Sequence, residues 1–175
     1  MEEVKTDEIT TVKSNPKIKP EEITLGTIGK VIIPIELKKQ IDYLHKKIGS
    51  FEWSGVLVYK HESGNIEELN NLVFKAIGFY LMDIGSGTLT EFHYTDKIID
   101  VYDNIPEAME CSIGLCHTHH SMGAFHSGTD MAELETNAGV YNYYLSLVVD
   151  TRETYKCKIA FPAKVKSNNN TEYSI

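Results

Sequence analysis

The segment from Ile113 to Leu134 reads IGLCHTHHSMGAFHSGTDMAEL and carries four of the seven histidines of this 175-residue chain. The residues before the histidines are small and apolar, as in a buried strand, and the residues after them look like the start of a helix. Binding and catalytic side chains are frequent on loops that a rigid scaffold holds in place. We therefore expect the chemistry of this protein where this strand ends, with the rest of the chain as support.

Two of these histidines, His117 and His119, lie two residues apart on the predicted strand. Side chains alternate between the faces of a strand, so both imidazoles point the same way and Thr118 points the opposite way. Two imidazoles on one face can hold one metal ion, and Asp130, near the start of the next helix, can supply a third ligand. This set leaves a fourth position open, as in catalytic rather than structural zinc sites. Iron and manganese also accept such ligands, but a four-coordinate site of this kind suits zinc best.

A catalytic metal of this kind works with a base that takes a proton from water, and Glu52 is the best candidate. It lies at the start of a predicted strand, beside the only tryptophan of the chain. A partly apolar setting there can raise the pKa of its carboxyl toward working pH. Ser127 can donate a hydrogen bond to a developing oxyanion.

The pattern of these residues resembles a known family. The two histidines, seven intervening residues, Ser127, two further residues and Asp130 match the H-x-H-x7-S-x-x-D pattern of the JAMM metalloproteases, also called MPN+ or JAB. Glu52, within the sequence FEWSG, matches the upstream glutamate that completes the family signature. The similarity in layout extends from about Lys30 to Pro162, and the MGAF and SGTD segments resemble single-domain members from bacteriophage and bacterial genomes.

The resemblance implies an α/β fold with a curved mixed sheet and helices packed on it, the MPN/JAB1-like or cytidine deaminase-like sandwich. It implies one zinc ion per chain held by His117, His119 and Asp130, with Glu52 as general base and Ser127 as the hydroxyl that stabilises the intermediate. It also implies hydrolysis of peptide or lysine-isopeptide bonds in a protein or peptide substrate. Family members commonly remove ubiquitin or ubiquitin-like proteins from lysine side chains, and a phage-encoded member would act in the host cytoplasm.

The chain departs from the family pattern at His120 and His126, where many relatives carry proline. Both changes leave the ligand set intact but bear on the shape of the loop and on the class of substrate. We expect His120, His126 and Thr118 to support the metal centre or the substrate loop, since His120 faces away from His119 on a strand. The short segment between Asp130 and the next strand indicates that the insertion with which larger relatives grip ubiquitin chains is missing, as is a second, cysteine-bearing zinc site.

Several of these residues also fit purely structural roles. The sequence Ser-Gly-Thr-Asp is a capping box, with Ser127 as N-cap and Asp130 at the third helical position, and such a cap would also fix the geometry of the ligand. Cys116 faces away from His117 on a strand, so we expect it to pack as a small hydrophobe rather than act as a nucleophile. Taken alone, Glu52 would be a solvated carboxylate at a corner between a helix and a strand.

Two other functions compete with hydrolysis by a JAMM enzyme. The domain could be a non-catalytic scaffold or a phage assembly module that retains the zinc site, although non-catalytic relatives usually lose one or more ligands. An amidohydrolase barrel also uses H-x-H but needs a much longer chain. The metallo-β-lactamase-type pattern needs an aspartate soon after the second histidine, where this chain has Ser121 and Met122.

Composition and charge narrow the range of partners. The net charge is −8 and no basic cluster is present, so nucleic acid and anionic membranes are disfavoured as partners. No apolar run approaches the roughly 20 residues of a transmembrane helix, and the polar N-terminus does not resemble a signal peptide. Three cysteines without a CxxC pair fit a reducing setting, so we expect a cytoplasmic protein.

We expect one domain over residues 23–163, after a flexible lead-in over 1–22 and before a polar, mobile tail over 164–175. The predicted strands are one or two within Ile23–Ile33, Trp53–His61, one or two within Ile66–Leu81, Ser112–Thr118, Tyr143–Val149 and Thr154–Phe161. The predicted helices follow Pro34, cover Thr95–Asn104 with Thr95 or Asp96 as cap, and run from Ser127 to about Val140. A turn is predicted at Glu62–Asn65 and a loop at Asp83–Gly87. This order favours a mixed sheet with helices packed on it, in an α+β fold or a three-layer α/β sandwich.

Overall fold

A curved mixed sheet forms the centre of the protein. The computed structural model describes residues 21–24, 28–66, 68–86, 89–162, 164–166 and 172–174. Seven of the described strands build this sheet: β1 Glu21–Thr24, β2 Gly29–Ile33, β3 Trp53–Asn65, β4 Asn70–Ile84, β5 Ser112–Thr118, β6 Tyr144–Val149 and β7 Tyr155–Ala160. Their spatial order is β1-β2-β4-β3-β5-β6-β7, with β2–β4 and β5–β6 parallel and the other neighbours antiparallel. The outermost strands, β1 and β7, contact each other, so the sheet bends almost into a closed barrel.

Helices cover both faces of this sheet. The described α-helices are α1 Ile35–Ile48, α2 Ile98–Asn104 and α3 Gly128–Ala138, with short 3-10 turns at Tyr94–Asp96, Pro106–Glu110 and His120–Met122. The apolar side chains of α1 pack with Trp53 and Cys116 on one face, whereas α2 packs on Val56 and α3 on Leu115 on the other. The predicted mixed sheet with helices packed on it is therefore confirmed.

The first helix forms where the sequence predicts it. Leu37, Ile41 and Leu44 recur at helical spacing and are all buried against the sheet. The helix ends at Gly49, whose N–H donates to the carbonyl of His45 and whose φ of 72° lies in a region that side chains rarely allow. The chain leaves α1 after Ile48 and enters β3 at Trp53, beside the candidate site.

The predicted turn at Glu62–Asn65 is wrong, because β3 continues through these residues and pairs with β4 as far as Asn65. The pairing shifts register at Ser63, and Gly64 has a φ of 97°, as expected for a bulge in an exposed ribbon. The turn-forming residue types are used here to bend the strand. The chain reverses only after Asn65, and β4 is one strand from Asn70 to Ile84.

Two further boundaries differ from the predictions. Strand β4 includes Ile84, so the loop predicted from Asp83 begins two residues later. Helix α2 begins at Ile98, with Lys97 at the N-cap position and no capping side-chain hydrogen bond. The predicted cap by Thr95 or Asp96 is wrong because these residues belong to a separate 3-10 turn.

The second half of the chain follows the predictions closely. Strand β5 spans Ser112–Thr118, Ser127 is the N-cap of α3, and β6 and β7 form the expected antiparallel hairpin. The turn of this hairpin is held by Asp150, whose carboxylate accepts hydrogen bonds from the N–H groups of Arg152 at 2.9 Å and Thr154 at 2.8 Å.

Two segments lie at the ends of the described chain. The expected strands before Pro34 are β1 and β2, and β1 begins at Glu21, whereas residues 1–20 of the predicted lead-in lie outside the described residues. Within the range predicted as a polar tail, β8 Lys164–Lys166 and β9 Glu172–Ser174 pair as a separate antiparallel sheet. No helix of the described residues is long and apolar enough to cross a membrane.

Candidate metal centre

The two candidate ligands His117 and His119 lie at the end of β5, where this strand runs between β3 and β6. His117 is the penultimate residue of β5, and His119 follows the strand, with its N–H donating to the carbonyl of Val149 at 3.0 Å. This bond holds His119 in line with the strand before the chain turns. Both imidazoles therefore project from the face covered by α3, and both side chains are buried.

Asp130 reaches the same point from the first turn of α3. Its N–H donates to the hydroxyl oxygen of Ser127 at 3.3 Å, and its carboxylate accepts from the N–H of Ser127 at 2.6 Å. The predicted capping box is therefore present, and both roles assigned to this pair are compatible in one geometry. The cap fixes the rotamer of a carboxylate that is itself buried.

The three side chains converge on one point. Nε2 of His117 lies 3.1 Å from Nε2 of His119 and 3.2 Å from Oδ1 of Asp130, and Nε2 of His119 lies 3.6 Å from Oδ2 of Asp130. Ligand atoms about 2.0–2.1 Å from a tetrahedral zinc ion are about 3.3–3.4 Å apart. The observed triangle therefore has the size of three corners of a zinc tetrahedron. These residues are the ones that could hold a metal ion in the described part of the chain.

The electrostatics of this group favour the forms that bind metal. Burial lowers the pKa of His119 and the nearby His117 adds to this effect, so its imidazole is neutral at physiological pH. Burial raises the pKa of Asp130, but hydrogen bonds from His117 and Ser127 outweigh it and hold this pKa well below its usual range. Two imidazole nitrogens and a carboxylate converge on the same small space, an arrangement that a bound cation would stabilise.

Glu52 lies next to the ligands through the pairing of β3 with β5. Ser54 pairs with His117 in antiparallel register, so continuing this register by two residues places Glu52 opposite His119 on the same face. The backbone of Glu52 is fixed on both sides, since its N–H donates to Ser86 and its carbonyl accepts from Gly85, each at 2.9 Å. The fold thus brings together residues 65 positions apart in sequence.

The environment of Glu52 is the one predicted for a base. The residue as a whole is only 5% exposed. Burial raises its pKa and the charge of Asp130 adds to this rise, whereas His117 opposes it. Trp53, the next residue, points to the opposite face and is buried between His45 and Phe79.

The remaining predicted residues divide between the two faces. Thr118 is buried on the face opposite the ligands, where its hydroxyl oxygen accepts from the N–H of His120 at 3.1 Å. His120 is buried with a φ of 48°, and its carbonyl accepts from the N–H of Thr151, so it shapes the turn after β5. Cys116 is fully buried in the core, as predicted.

His126 belongs to the loop that joins β5 to α3 and lies on the side of the candidate ligands. Its Nε2 lies 3.2 Å from the carbonyl oxygen of Ser146, and because a carbonyl only accepts, this nitrogen carries the proton. Burial lowers the pKa of His126 to about 4, so the ring is neutral. His126 therefore anchors the loop to β6.

Two further residues near the candidate ligands, Phe125 and Glu133, were not predicted from the sequence. The ring of Phe125 packs edge-on against His119, with centroids 4.5 Å apart. Glu133, one helical turn after Asp130, accepts a hydrogen bond from Tyr144 at 2.9 Å and interacts electrostatically with His117. The spacing from Asp130 to Glu133 is the only signal in the sequence that places both on one face of α3.

Comparisons with known proteins leave the site to be interpreted from its own geometry. No protein-family model matches the chain, and no curated protein matches it. The solution structure of protein DSY2949 from Desulfitobacterium hafniense is similar over 79% of this chain and 86% of that chain, with a TM-score of 0.45 and 14% sequence identity. A similarity at this level adds nothing to the interpretation of the metal centre.

Proposed function

We propose that this protein is a zinc-dependent peptidase or isopeptidase of the JAMM type. The observation that carries this proposal is the convergence of His117, His119 and Asp130 at the spacing of zinc ligands, with the buried carboxyl of Glu52 on the same face. Three protein ligands leave a fourth position for water or substrate, which distinguishes a catalytic zinc site from a structural one. The H-x-H-x7-S-x-x-D pattern supports the same assignment.

Each residue has a distinct part in hydrolysis. His117, His119 and Asp130 would hold the zinc ion, which would supply a Lewis acid for the attacking water and the substrate carbonyl. Glu52 accepts the proton of the attacking water and returns it to the leaving amine, and burial of its carboxyl brings its pKa closer to that of a proton shuttle. The Ser127 oxygen already accepts from the N–H of Asp130, so its hydroxyl proton is directed elsewhere and can bond to the oxyanion.

The surroundings of the site fit a protein or peptide substrate, including a ubiquitin-like one. Large apolar side chains are exposed on both sides of the metal centre: Phe51 and Leu89 beside Glu52, and Met122 and Phe125 in the loop after β5. The main chain ties the first side together, since Glu52 bonds to Ser86 and Ser86 bonds to Leu89. Exposed apolar side chains around a site are typical of surfaces that bind proteins.

The proposal is tested with Glu52→Gln, which keeps the shape of the side chain and removes the base. Glu36→Gln is the matched control, because Glu36 is exposed in the first turn of α1. Zinc content is measured by mass spectrometry, and cleavage is measured on quenched peptide libraries and lysine-linked ubiquitin-like conjugates. We expect about one zinc per chain in every variant. We expect cleavage to fall by about 10²–10⁴-fold in Glu52→Gln alone.

Several results would contradict the proposal. Cleavage by a metal-free preparation, or by Glu52→Gln at the wild-type rate, would refute the mechanism. Stoichiometric zinc without cleavage of any of these substrates would instead support the non-catalytic scaffold or phage assembly module.

A further inference from the structure

A cavity of about 500 Å³ lies at the start of β5, away from the candidate metal centre. Its walls come from α2, the 3-10 turn Pro106–Glu110, the first residues of β5 and residues 141–143. Ser112, at the cavity, comes five residues before His117 on the same strand, which is about 17 Å in an extended chain. The volume is within the range of sites that bind small ligands or side chains of a partner.

Aromatic rings form part of the wall of this cavity, namely those of Tyr94, Tyr102 and Tyr141. The ring of Tyr141 stacks on that of Tyr144, with centroids 5.8 Å apart and ring planes 25° apart. Tyr94 contacts Tyr144 edge-on, with centroids 6.5 Å apart. Because Tyr144 is fully buried, it holds both rings in place, and a wall that is already ordered loses little entropy when a ligand binds.

The polar groups of the cavity are neutral. The hydroxyls of Tyr102 and Tyr141 make no hydrogen bond within the part of the chain that the structure describes, so their oxygens can accept one from a ligand. Burial raises the pKa of Tyr141 and the nearby Tyr102 adds to this rise, so the two phenols interact across the cavity. No lysine, arginine or histidine is among the described residues that line the cavity, which disfavours an anionic ligand.

The surface around the cavity is acidic. Residues 97–111, which cover α2 and the following 3-10 turn, contain four carboxylates and one lysine. Three of these carboxylates, on Asp103, Glu107 and Glu110, are exposed and adjoin a residue of the cavity wall in sequence. Their charge favours a cation at the mouth of the cavity.

Cys111, another residue of the wall, senses the charges around the cavity. Burial raises the pKa of its thiol, Lys60 lowers it, and Glu107 and Glu110 raise it further. Lys60 is itself paired with Glu62 at 3.0 Å. The negative charges beside the cavity therefore outnumber the one positive charge that reaches it.

A guanidinium group stacks on aromatic rings and carries five N–H donors, so it matches both the rings and the phenolic oxygens. We propose that this cavity binds an arginine side chain of a protein or peptide partner, with its hydrocarbon part against Ile98 and Ile113. A partner segment fits better than a free cation, because the wall residue Met109 is 77% exposed and offers an apolar contact beyond the cavity. This site is independent of the zinc chemistry.

The test titrates the full-length protein with two peptides that differ only in charge. One is acetyl-Gly-Ala-Arg-Ala-Gly-amide, and the other has citrulline, which has nearly the shape of arginine and no charge. Methylguanidinium represents a free cation. Proton–nitrogen NMR spectra report the location and the affinity of each ligand.

Two changes to the protein test the wall and the charge separately. Tyr102→Leu removes one ring, and its control is Tyr43→Leu, since Tyr43 is 58% exposed on α1. The double variant Glu107→Gln and Glu110→Gln removes two charges, and its control is Glu36→Gln on α1.

We expect the arginine peptide to shift resonances of the cavity wall and to bind about 10-fold or more tightly than the citrulline peptide and methylguanidinium. Tyr102→Leu should weaken binding of the arginine peptide by about 2- to 30-fold, whereas Tyr43→Leu should not change it. The double variant should weaken binding and reduce its dependence on salt, unlike Glu36→Gln.

Equal affinities for the arginine and citrulline peptides, shifts away from the cavity wall, or no binding at millimolar peptide would each overturn this inference. These measurements use the wild-type protein, so they decide the matter even if Tyr102→Leu does not fold. Methylguanidinium that binds as tightly as the peptide would overturn the assignment to a partner segment and favour a free organic cation.

Discussion

Ser127 caps α3 and is the proposed hydrogen-bond donor to the oxyanion, and Ser127→Ala separates these two roles. The substitution removes the acceptor of the Asp130 N–H, a hydrogen bond of 3.3 Å, and leaves the bond from the Ser127 N–H to the Asp130 carboxylate at 2.6 Å. Half of the capping box is lost. The N–H that loses its partner belongs to Asp130, a buried candidate ligand.

Loss of a serine cap costs about 1 kcal/mol of stability. If this cost falls on the state in which Asp130 is held for the ion, zinc binding weakens by about fivefold. Loss of an oxyanion donor, by contrast, lowers turnover by about 10²–10³-fold. We therefore expect a small loss of stability, a small loss of zinc affinity and a much larger loss of cleavage. Urea unfolding of metal-free protein, chelator competition and turnover measure the three quantities.

The control is Ala132→Gly, an exposed position in the middle of α3. Glycine there destabilises the helix by about 1 kcal/mol without contact with the ligands. It should lower the urea midpoint as Ser127→Ala does and leave zinc affinity and turnover unchanged. Wild-type stability and zinc affinity in Ser127→Ala would refute the capping role. A loss of turnover no greater than the loss of zinc affinity would refute the role as oxyanion donor.

Three further predictions concern the scaffold. Trp53→Ala should lower the free energy of unfolding by about 3–5 kcal/mol, because Trp53 is 1% exposed and packs on His45 and Phe79. Urea unfolding followed by circular dichroism measures this loss, and a loss under about 1 kcal/mol would contradict the packing. The pKa of Asp150 is lowered from its usual 3.8, because its hydrogen bonds outweigh the effect of burial. The ionised carboxylate therefore stabilises the fold above about pH 4, and this contribution is lost as the pH falls through the pKa of the folded state. Asp150→Asn should then be less stable than the wild type by about 1–2 kcal/mol at pH 7, with a smaller difference at pH 3 in urea titrations; a difference independent of pH would exclude this cause. Cys116 should resist iodoacetamide in the native protein, because it is fully buried and burial raises its pKa. Mass spectrometry should find it alkylated only after unfolding, and rapid labelling of the native protein would instead support a role for Cys116 as a nucleophile.

The parts of the site that were predictable are those set by local geometry. Alternation along a strand places His117 and His119 on one face of the sheet. The Ser-x-x-Asp spacing predicts the capping box, which orients the carboxylate of Asp130 toward the two histidines. Helix α1 was equally predictable, because its apolar residues recur at helical spacing before a glycine.

The parts that were not predictable depend on contacts between distant segments. Turn-forming residues before Asn65 bend a strand instead of reversing it, because pairing with β4 continues beyond them. Thr95 does not cap α2, because it lies in a separate 3-10 turn whose Tyr94 packs against Phe92. The hydrogen bond from Tyr144 to Glu133 joins the first residue of β6 to α3, and no pattern in the sequence indicates it.

The candidate ligands lie close together in the sequence, whereas the candidate base is distant from them. The three candidate ligands lie within 14 residues of one another, from His117 to Asp130, whereas Glu52 joins them only through the pairing of β3 with β5. Local contacts form faster than contacts between distant segments during folding. A nascent or partly folded chain can therefore assemble the three candidate ligands before Glu52 joins them. On the proposed mechanism, hydrolysis then requires the central ladder, so incompletely folded molecules do not cleave.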